Sequence, residues 1–236
     1  MIDFTDKVAL VTGASRGLGY ALAREMGGRG CHVIAVGRTV GGLEELDDAI
    51  QSAGGQATLV PLDITDDPAL ERLGAAIFER WGRVDFWVHT AVHTLGQSPV
   101  EHVQAKEFDR ALAVNFRAVQ RLIRVVDPLL RRAEAGRAVF FKDRSGEGQP
   151  YHAGYSSALA GRENLLDDWA AGLARVSGVR VTTLVPPPMR TAVRARLYPG
   201  EETAALADPA DVASRVIALL TEEAPSGLSG LIDMSA

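Results

Sequence analysis

A glycine-rich segment, TGASRGLG at residues 12 to 19, has the spacing of a turn that binds phosphate groups. It follows an apolar run and precedes apolar residues at helical spacing, so it joins a strand to a helix. Gly13 permits a tight turn, Gly17 lets the backbone approach a diphosphate, and Gly19 lets the helix pack closely on the strand. The free amides and positive end of that helix then face the anion. The segment therefore predicts a nucleotide site.

Short β-branched runs alternate with longer stretches of helical periodicity. The runs lie at residues 7–13, 31–37, 57–63, 84–90, 137–142 and 179–185. Apolar residues recur at helical spacing between them, at Leu18, Leu22 and Met26, at Leu43, Leu46 and Ile50, and at Leu70, Leu73 and Ile77. Apolar strands joined by helices are typical of a parallel sheet covered on both faces. We therefore expect one doubly wound α/β domain over residues 1–236.

The C-terminal third of the chain adds two elements and one irregular segment. A last helix is expected at roughly Pro209 to Leu220, and an edge strand in LSGLIDMS at residues 228–235. Residues 191–208, TAVRARLYPGEETAALAD, carry the weakest pattern in the chain. Irregular segments on a rigid scaffold often contact ligands, so this segment is the candidate lid over a substrate site.

Composition excludes several classes of partner. The net charge is −5 and the basic residues are spread along the chain, which argues against a nucleic-acid surface. The single cysteine, Cys31, stands in an apolar strand and is expected to be a core residue. No long apolar run is present, and acidic residues precede the first apolar stretch, where a signal peptide has basic ones. We expect a cytoplasmic protein without a membrane partner.

The glycine spacing resembles that of the short-chain dehydrogenase/reductase family. Further motifs similar to those of the family follow in order: LDITD at 62–66, VHTAV at 88–92, AVNF at 113–116 and VRVTTLVPPPMRT at 179–191. The resemblance covers nearly the whole chain and implies a Rossmann-type fold that binds a nicotinamide cofactor. It implies cofactor contacts from Gly13, Ser15, Arg16, Gly17, Leu18, Gly19, Arg38, Asp63, Ile64, Ala91, Pro186 and Thr191. Pro187 stands where the family has a glycine.

The charge at the end of the second strand indicates which nicotinamide cofactor is bound. A site of this type that prefers NAD(H) needs a carboxylate there for the adenosine ribose. This chain has Gly37 followed by Arg38, and Arg16 lies in the glycine loop. Arginine pairs with phosphate through charge-assisted hydrogen bonds. The pattern predicts NADP(H) in preference to NAD(H). No metal site is expected, because His89 and His93, four residues apart, read as the end of a strand and the following loop and not as one helix face.

The catalytic positions depart from the family pattern. In the family, a serine polarises the substrate carbonyl, a tyrosine passes the proton, and a lysine four residues later binds the ribose and lowers the pKa of the tyrosine. The resemblance implies that Tyr155 is this tyrosine and that Asn115 is the asparagine that anchors a water. Leu159 stands at the lysine position, and Asp143, preceded by Lys142, stands at the serine position. The implied catalytic residues are thus Tyr155, Asn115 and Asp143.

Three residues are candidates to replace the missing groups. Arg162 follows Tyr155 by seven residues, on the same helix face, and its side chain leans back toward the helix N-terminus. Ser145 stands ten residues before Tyr155 and is a candidate for the lost serine. His152, just ahead of the helix, is a candidate proton carrier in a closed site.

Three functions are consistent with these residues. The first is an NADP(H)-dependent oxidoreductase with an altered proton relay, which interconverts a carbonyl and an alcohol on a small molecule. The second is a catalytically inactive NADP(H)-binding or interaction protein, which Leu159 and Asp143 favour. The third is a non-redox lyase or isomerase that uses Asp143 as acid or base. The resemblance also implies a homodimer or homotetramer that pairs helices at roughly Val103 to Leu130 and Tyr155 to Val176.

Overall fold

Seven parallel strands form one sheet in the computed structural model, which describes residues 4–221 and 230–234. In chain order the strands are β1 (Val8–Thr12), β2 (His32–Gly37), β3 (Gln56–Pro61), β4 (Phe86–His89), β5 (Arg137–Phe141), β6 (Arg180–Val185) and β7 (Gly230–Asp233). In space they are ordered β3-β2-β1-β4-β5-β6-β7. The strand order reverses between β1 and β4, which leaves a crevice at the carboxyl ends of the strands.

Helices cover both faces of the sheet. They are α1 (Gly17–Gly28), α2 (Val40–Ser52), α3 (Asp67–Trp81), α4 (Ala105–Leu112), α5 (Ala118–Leu130), α6 (Ala153–Leu173), α7 (Ala192–Leu197) and α8 (Pro209–Thr221). A π-helical turn, Ala113–Arg117, joins α4 to α5, and 3-10 turns occupy Val100–His102 and Thr203–Ala205. Helices α1, α2 and α8 share one apolar cluster with the sheet. Helices α3, α5 and α6 share a second cluster on the opposite face.

The predicted fold class is confirmed, and the elements begin and end within about two residues of the expected positions. All nine apolar residues predicted at helical spacing in α1, α2 and α3 are buried. Helix α8 ends one residue beyond the expected Leu220. Of the segment expected to form the edge strand, residues 230–233 form β7, whereas 228, 229 and 235 lie outside the described residues.

Local signals account for the ends of helix α3. Asp66 precedes the helix, and its Oδ1 accepts a hydrogen bond from the backbone N–H of Ala69 at 3.0 Å. This is the N-cap arrangement, which satisfies one of the free amides of the first turn. Gly82 ends the helix with φ of 72°, a conformation that glycine adopts without strain.

Within the described residues, no helix combines the length and the apolar character needed to cross a membrane.

Several loops meet at one edge of the sheet. The glycine loop after β1, the turns after β4 and β5, the three prolines after β6 and helix α7 all line one cavity at the carboxyl ends of the strands.

Candidate active site

One cavity of about 490 Å³ connects the glycine loop with the predicted catalytic residues. Its wall includes Gly13 and Gly17 at one end and Asp143, Tyr155 and Leu159 at the other. The volume lies within the range typical of small-molecule and cofactor sites, which is about 300 to 1,000 Å³. The fold thus brings the predicted phosphate loop and the predicted proton-transfer residues into the same space.

The glycine loop requires glycine at two positions. Gly13 has φ of +92°, and a Cβ there would lie 2.6 Å from the backbone N of Ala91. A Cβ at Gly19 would overlap the backbone oxygen of Gly13. The N-terminus of α1 has no side-chain cap, because Arg16 at the N-cap makes no capping hydrogen bond. The first-turn amides of α1 are therefore directed at the cavity, where an anionic group fits.

The end of β2 is basic. Arg16 and Arg38 are both exposed and line the cavity. Gly37 is the last residue of β2 and precedes Arg38, and a Cβ at Gly37 would lie 3.1 Å from the Cβ of Ser15. The position that would carry a carboxylate in an NAD(H) site is thus closely packed against the loop.

The carboxylate of Asp63 is hydrogen-bonded to other residues of the protein. Its Oδ1 accepts hydrogen bonds from the backbone N–H of Thr65 at 3.0 Å and from the Thr65 hydroxyl at 2.7 Å, and its Oδ2 accepts one from Arg110 at 2.7 Å. Partial burial raises the pKa of Asp63, but these hydrogen bonds and the Arg110 charge outweigh it and lower the pKa to about 2. An adenine amino group would have to share Asp63 with Arg110 and Thr65. The neighbouring Ile64 is buried and lines the cavity.

Tyr155 and Asp143 lie next to each other, as the sequence predicted. The Tyr155 hydroxyl donates to Oδ2 of Asp143 across 3.4 Å, at the long end for a hydrogen bond. Oδ1 of Asp143 accepts from the backbone N–H of Ser145 at 2.9 Å and also from the Ser145 hydroxyl. Burial, and after it the charge of Asp143, raise the pKa of the Tyr155 phenol, whereas the charge of Arg162 lowers it. The net effect is a phenol that strongly retains its proton.

The comparison with known proteins decides the family. A family model described as short chain dehydrogenase matches residues 7–202. The chain is a member of the short-chain dehydrogenase/reductase family. A 3beta-hydroxysteroid dehydrogenase 1 from Eggerthella lenta is 30% identical over 235 residues, covering 94% of this chain and 89% of that protein.

Two further relatives extend the comparison. A fatty acyl-CoA reductase from Acinetobacter baylyi is 34% identical over 134 residues, which are 56% of this chain and 45% of that protein, so the match spans less than half of that relative. A solved structure of a metagenomic short-chain oxidoreductase in complex with NADP has a TM-score of 0.82 and 27% identity, and the match covers 98% of this chain and 97% of that one.

The residue predicted at the lysine position of this short-chain dehydrogenase/reductase is buried in an apolar cluster. Leu159 is 4% exposed and packs with Tyr155 and Leu197. Val92, Val193 and Tyr198 pack against the same cluster from the turn after β4 and from the α7 region. The cluster therefore ties helix α6 to the predicted lid segment.

The predicted lid segment contains ordered structure. Helix α7 and the 3-10 turn lie within it, and Thr191 caps α7 by accepting a hydrogen bond from the N–H of Arg194 at 3.2 Å. The Tyr198 hydroxyl donates to the backbone oxygen of Ser145 at 2.8 Å. Arg194 stacks on the Tyr198 ring at 3.9 Å and forms an ion pair with Glu201. The segment is thus fastened to the loop that carries Asp143.

Asn115 holds the loop after β4 in this short-chain dehydrogenase/reductase. It is buried in the π-helical turn, a feature frequent at functional sites. Its Oδ1 accepts from the backbone N–H of His93 at 2.7 Å, and its Nδ2 donates to the backbone oxygen of His93 at 2.8 Å. Both ends of the amide are therefore engaged, and the structure gives Asn115 a positioning role for the loop that carries Ala91.

Two further residues predicted near the site have distinct surroundings. Nζ of Lys142 lies 2.7 Å from carboxylate oxygens of both Glu147 and Glu163. Burial alone lowers the pKa of Lys142, but these two carboxylates raise it above its usual value. His152 is buried and packs against the Tyr198 ring, with centroids 5.5 Å apart.

His89 and Thr90 line the cavity although neither was among the predicted site residues. His89 is buried at the cavity wall, and its Nδ1 lies 2.7 Å from the hydroxyl of Thr12. The Thr90 hydroxyl donates to the backbone oxygens of Thr12 and Gly13 at 3.0 and 3.2 Å. The signal was their position in VHTAV, the segment already matched to the family, because a polar residue at the end of a central strand faces the crevice.

Proposed function

We propose that this chain is an NADP(H)-dependent oxidoreductase that interconverts a carbonyl group and an alcohol on a small molecule. The observation that carries the proposal is the single cavity lined both by the glycine loop and by the Tyr155 and Asp143 pair. A redox enzyme of this family needs its dinucleotide and its proton donor in one space. Family membership supports oxidoreductase chemistry.

The residues present fit a dinucleotide. A Cβ at Gly13 or Gly19 would collide with the turn after β4 or with the loop backbone, so glycine there lets the loop pack closely on that turn. Gly17 has φ of +59° and lies at the cavity wall, where the lack of a side chain lets a phosphate group approach the backbone. Ser15, Leu18, Pro186 and Thr191 also line the cavity. When bound, the nicotinamide accepts or supplies a hydride. The NADP held by the metagenomic relative supports the same class of cofactor here.

The proposed preference for NADP(H) rests on charge. Arg16 and Arg38 lie at the cavity wall without an ion pair among the described residues, and no carboxylate stands at Gly37. Two guanidinium groups in this position suit the 2′-phosphate of NADP(H).

The proposed proton path uses Tyr155 and Asp143 together. In alcohol oxidation, the substrate hydroxyl gives its proton to the Tyr155 oxygen while the Tyr155 proton passes to Oδ2 of Asp143. In carbonyl reduction the two transfers run in reverse, and the protonated Asp143 resupplies Tyr155. Because the pKa of the phenol is raised, a path that never forms a free phenolate suits this site. Ser145 holds the other oxygen of Asp143 and keeps the carboxylate aligned.

The proposed substrate space lies under the segment 191–208. Tyr198 and Leu197 bring this segment against Ser145, Tyr155 and Leu159. We propose that the segment is the lid over the substrate.

We also propose a homodimer or homotetramer through α4, α5 and α6. The exposed Phe116, which lies beside Gly161, and the exposed Val176 provide apolar surface for this assembly.

The proposal is tested by binding and turnover. The purified protein is titrated with NADPH and with NADH by fluorescence and then assayed on panels of carbonyls and alcohols. We expect tighter binding of NADPH and measurable redox turnover in at least one direction. Absence of binding to either nucleotide contradicts the proposal.

The second candidate, an inactive NADP(H)-binding protein, is favoured by the apolar burial of Leu159. It predicts nucleotide binding without turnover until Leu159→Lys and Asp143→Ser are introduced together. The third candidate, a lyase or isomerase that uses Asp143, predicts loss of substrate without any change in the redox state of the cofactor. One set of assays thus separates all three.

A further inference from the structure

Arg162 is a buried arginine that reaches the cavity from helix α6. It is 3% exposed and lines the cavity together with Tyr155 and Asp143. Its Nη2 donates to the backbone oxygen of Phe141 at 2.6 Å, which anchors the guanidinium at the end of β5, two residues before Asp143. Its Nε is buried and has no hydrogen-bond partner among the described residues. Burial of an ion costs free energy, so a fully buried arginine is expected to have a role that offsets this cost.

We infer that Arg162 supplies the fixed positive charge that stabilises the negative charge of the Tyr155 and Asp143 pair. Arg162 is a positioning residue, because it acts through Tyr155 and Asp143 on the substrate. The inference deepens the proposed function and rests on it for the chemistry. The charge reaches the site from seven residues after Tyr155, where the family pattern places it four residues after, at Leu159.

The other cations near Tyr155 are engaged elsewhere. Lys142 lies between Glu147 and Glu163, Arg144 pairs with Asp233 at 2.7 Å, and Arg194 pairs with Glu201. Each of these pairs neutralises its cation. Among the described residues around Tyr155 and Asp143, Arg162 is the cation whose contacts within the protein leave it without a carboxylate ion pair.

His89, which faces Arg162 from β4, is neutral. Burial, and after it the charge of Arg162, lower the pKa of His89 to about 3. His89 therefore adds no second charge at neutral pH. A neutral histidine beside a guanidinium is what a site with one fixed cation requires, since two cations in this buried space would repel each other.

The titratable groups that face Tyr155 come from three parts of the chain. Asp143 follows β5, Arg162 lies on α6, and Tyr198 follows α7. Asp143 opposes ionisation of the phenol and Arg162 favours it. Arg162 in turn is faced by Tyr155, Glu163, Asp143 and His89. Burial lowers the pKa of Arg162, but an arginine remains protonated in proteins, so the charge is permanent.

Arg137 provides a matched control for the cost of removing a buried arginine. It lies at the opposite end of β5, is 8% exposed, donates from Nη1 to the backbone oxygen of Leu220 at 3.2 Å, and also has an unpartnered Nε. Burial lowers its pKa as it does that of Arg162. Arg137→Gln therefore reports the structural effect alone.

The first test measures the Tyr155 phenol directly and needs no activity. Tyrosine labelled with ¹³C at Cζ is followed by NMR from pH 7 to 11 in the Asp143→Asn protein, with Tyr155→Phe to assign the signal. We expect Arg162→Gln in this background to move the Tyr155 titration upward by about 1 to 3 pH units, the effect of a nearby opposite charge. Arg137→Gln leaves the titration in place.

The first test has two results that overturn the inference. One is an unchanged Tyr155 titration after Arg162→Gln. The other is an equal shift of the Tyr155 titration after Arg137→Gln, because the shift would then follow from the loss of a buried arginine in general and not from a charge beside Tyr155. Both results stand whether or not redox turnover is found, so they do not depend on the proposed function.

The second test uses rescue of turnover. Arg162→Gln is expected to lower kcat by about 10- to 100-fold, and Arg162→Lys by less, because the positive charge beside Tyr155 and Asp143 is lost in the first variant and retained in the second. Leu159→Lys, which restores a cation one helical turn after Tyr155, is expected to recover kcat in the Arg162→Gln protein. A loss of kcat that Leu159→Lys does not recover, or an equal loss in Arg137→Gln, assigns Arg162 a merely structural role.

Discussion

The Tyr155 hydroxyl lies 3.4 Å from Oδ2 of Asp143, so the phenol faces a carboxylate at the end of β5. A carboxylate accepts a proton from tyrosine but, when ionised, donates none to a substrate carbonyl. In the proposed function, the pair is a relay in which Tyr155 contacts the substrate and Asp143 stores the proton. Such a relay would let a buried phenol with a raised pKa take part in acid and base chemistry.

Replacing Tyr155 by phenylalanine tests the relay. The ring stays in the apolar cluster with Leu159 and Leu197, so the fold is preserved while the hydroxyl is lost. We expect kcat to fall by about 100- to 10,000-fold, the usual contribution of a positioned acid or base, with NADPH binding unchanged. Steady-state kinetics and fluorescence titration measure both. Tyr151→Phe, at an exposed tyrosine four residues earlier, is the control, and equal losses in both variants would refute the relay.

Replacing Gly19 by alanine tests the phosphate loop. The added Cβ overlaps the backbone oxygen of Gly13, so the loop must shift. We expect loss of detectable NADPH binding with the fold retained, as judged by circular dichroism. Gly28→Ala, at the far end of the same helix, meets only the Cβ of Ala53 at 3.4 Å and should bind normally. Normal binding by Gly19→Ala would show that the nucleotide lies elsewhere.

Replacing Arg38 by alanine tests the choice of cofactor. Loss of one charge-assisted hydrogen bond to a phosphate costs about 1.5 to 3 kcal/mol, or about 10- to 100-fold in Kd. We expect this loss for NADPH and little change for NADH, both measured by isothermal titration calorimetry. Arg24→Ala removes an exposed arginine from the outer part of α1 and serves as the control. An equal loss of affinity for NADPH and NADH would argue against a contact between Arg38 and the 2′-phosphate.

Asp63 predicts a loss of stability in acid. Its pKa in the folded protein is about 2, below the ordinary value of 3.8, so its contribution to stability is fully present above about pH 4. That contribution is lost as the pH falls from about 4 toward 2. We expect the difference in Tm between the native chain and Asp63→Asn to shrink over this interval. Asp48→Asn, at an exposed carboxylate on α2, should show no such narrowing.

The hydrogen bond from Tyr198 is expected to limit the motion of the segment over the cavity. Tyr198→Phe removes the hydrogen bond to the Ser145 backbone, which fastens residues 191–208 to the Asp143 loop. We expect faster hydrogen exchange in this segment and a higher KM. Tyr20→Phe removes a longer tyrosine hydrogen bond, 3.4 Å to the Glu45 backbone oxygen on the other side of the domain, and should leave both unchanged. Unaltered exchange in the Tyr198 variant would mean that other contacts, such as the apolar cluster and the hydrogen bond from Gln97 to the Leu197 backbone, fasten the segment.

The sequence predicted what depends on local pattern. Strands and helices followed from apolar periodicity, and Gly13 and Gly19 followed from the turn they must form. The neighbouring placement of Tyr155 and Asp143 followed from the family resemblance and from the rule that strand ends meet at one edge of the sheet.

Long-range pairing of charges escaped prediction. The Arg110 partner of Asp63 is 47 residues away, and the Glu163 partner of Lys142 is 21 residues away. No periodicity links such residues, because the contacts arise from packing of elements that are separate in the chain. The π-helical turn at Asn115 was missed for a related reason, since a helix with one extra residue keeps nearly the same apolar pattern.

The π-helical turn constrains how this chain can change its length. Deleting a single residue from Ala113–Arg117 would remove the extra residue of this turn, so α4 would continue into α5 as a regular α-helix and both parts would keep nearly the same faces toward the core. The backbone around Asn115 would still shift, which would disturb its two hydrogen bonds to the His93 backbone. A one-residue deletion elsewhere in α4 or α5 would instead rotate one part of the helix against the other by about 100°. We therefore expect the fold to tolerate a deletion in the π-helical turn better than one in the regular parts of this helix pair.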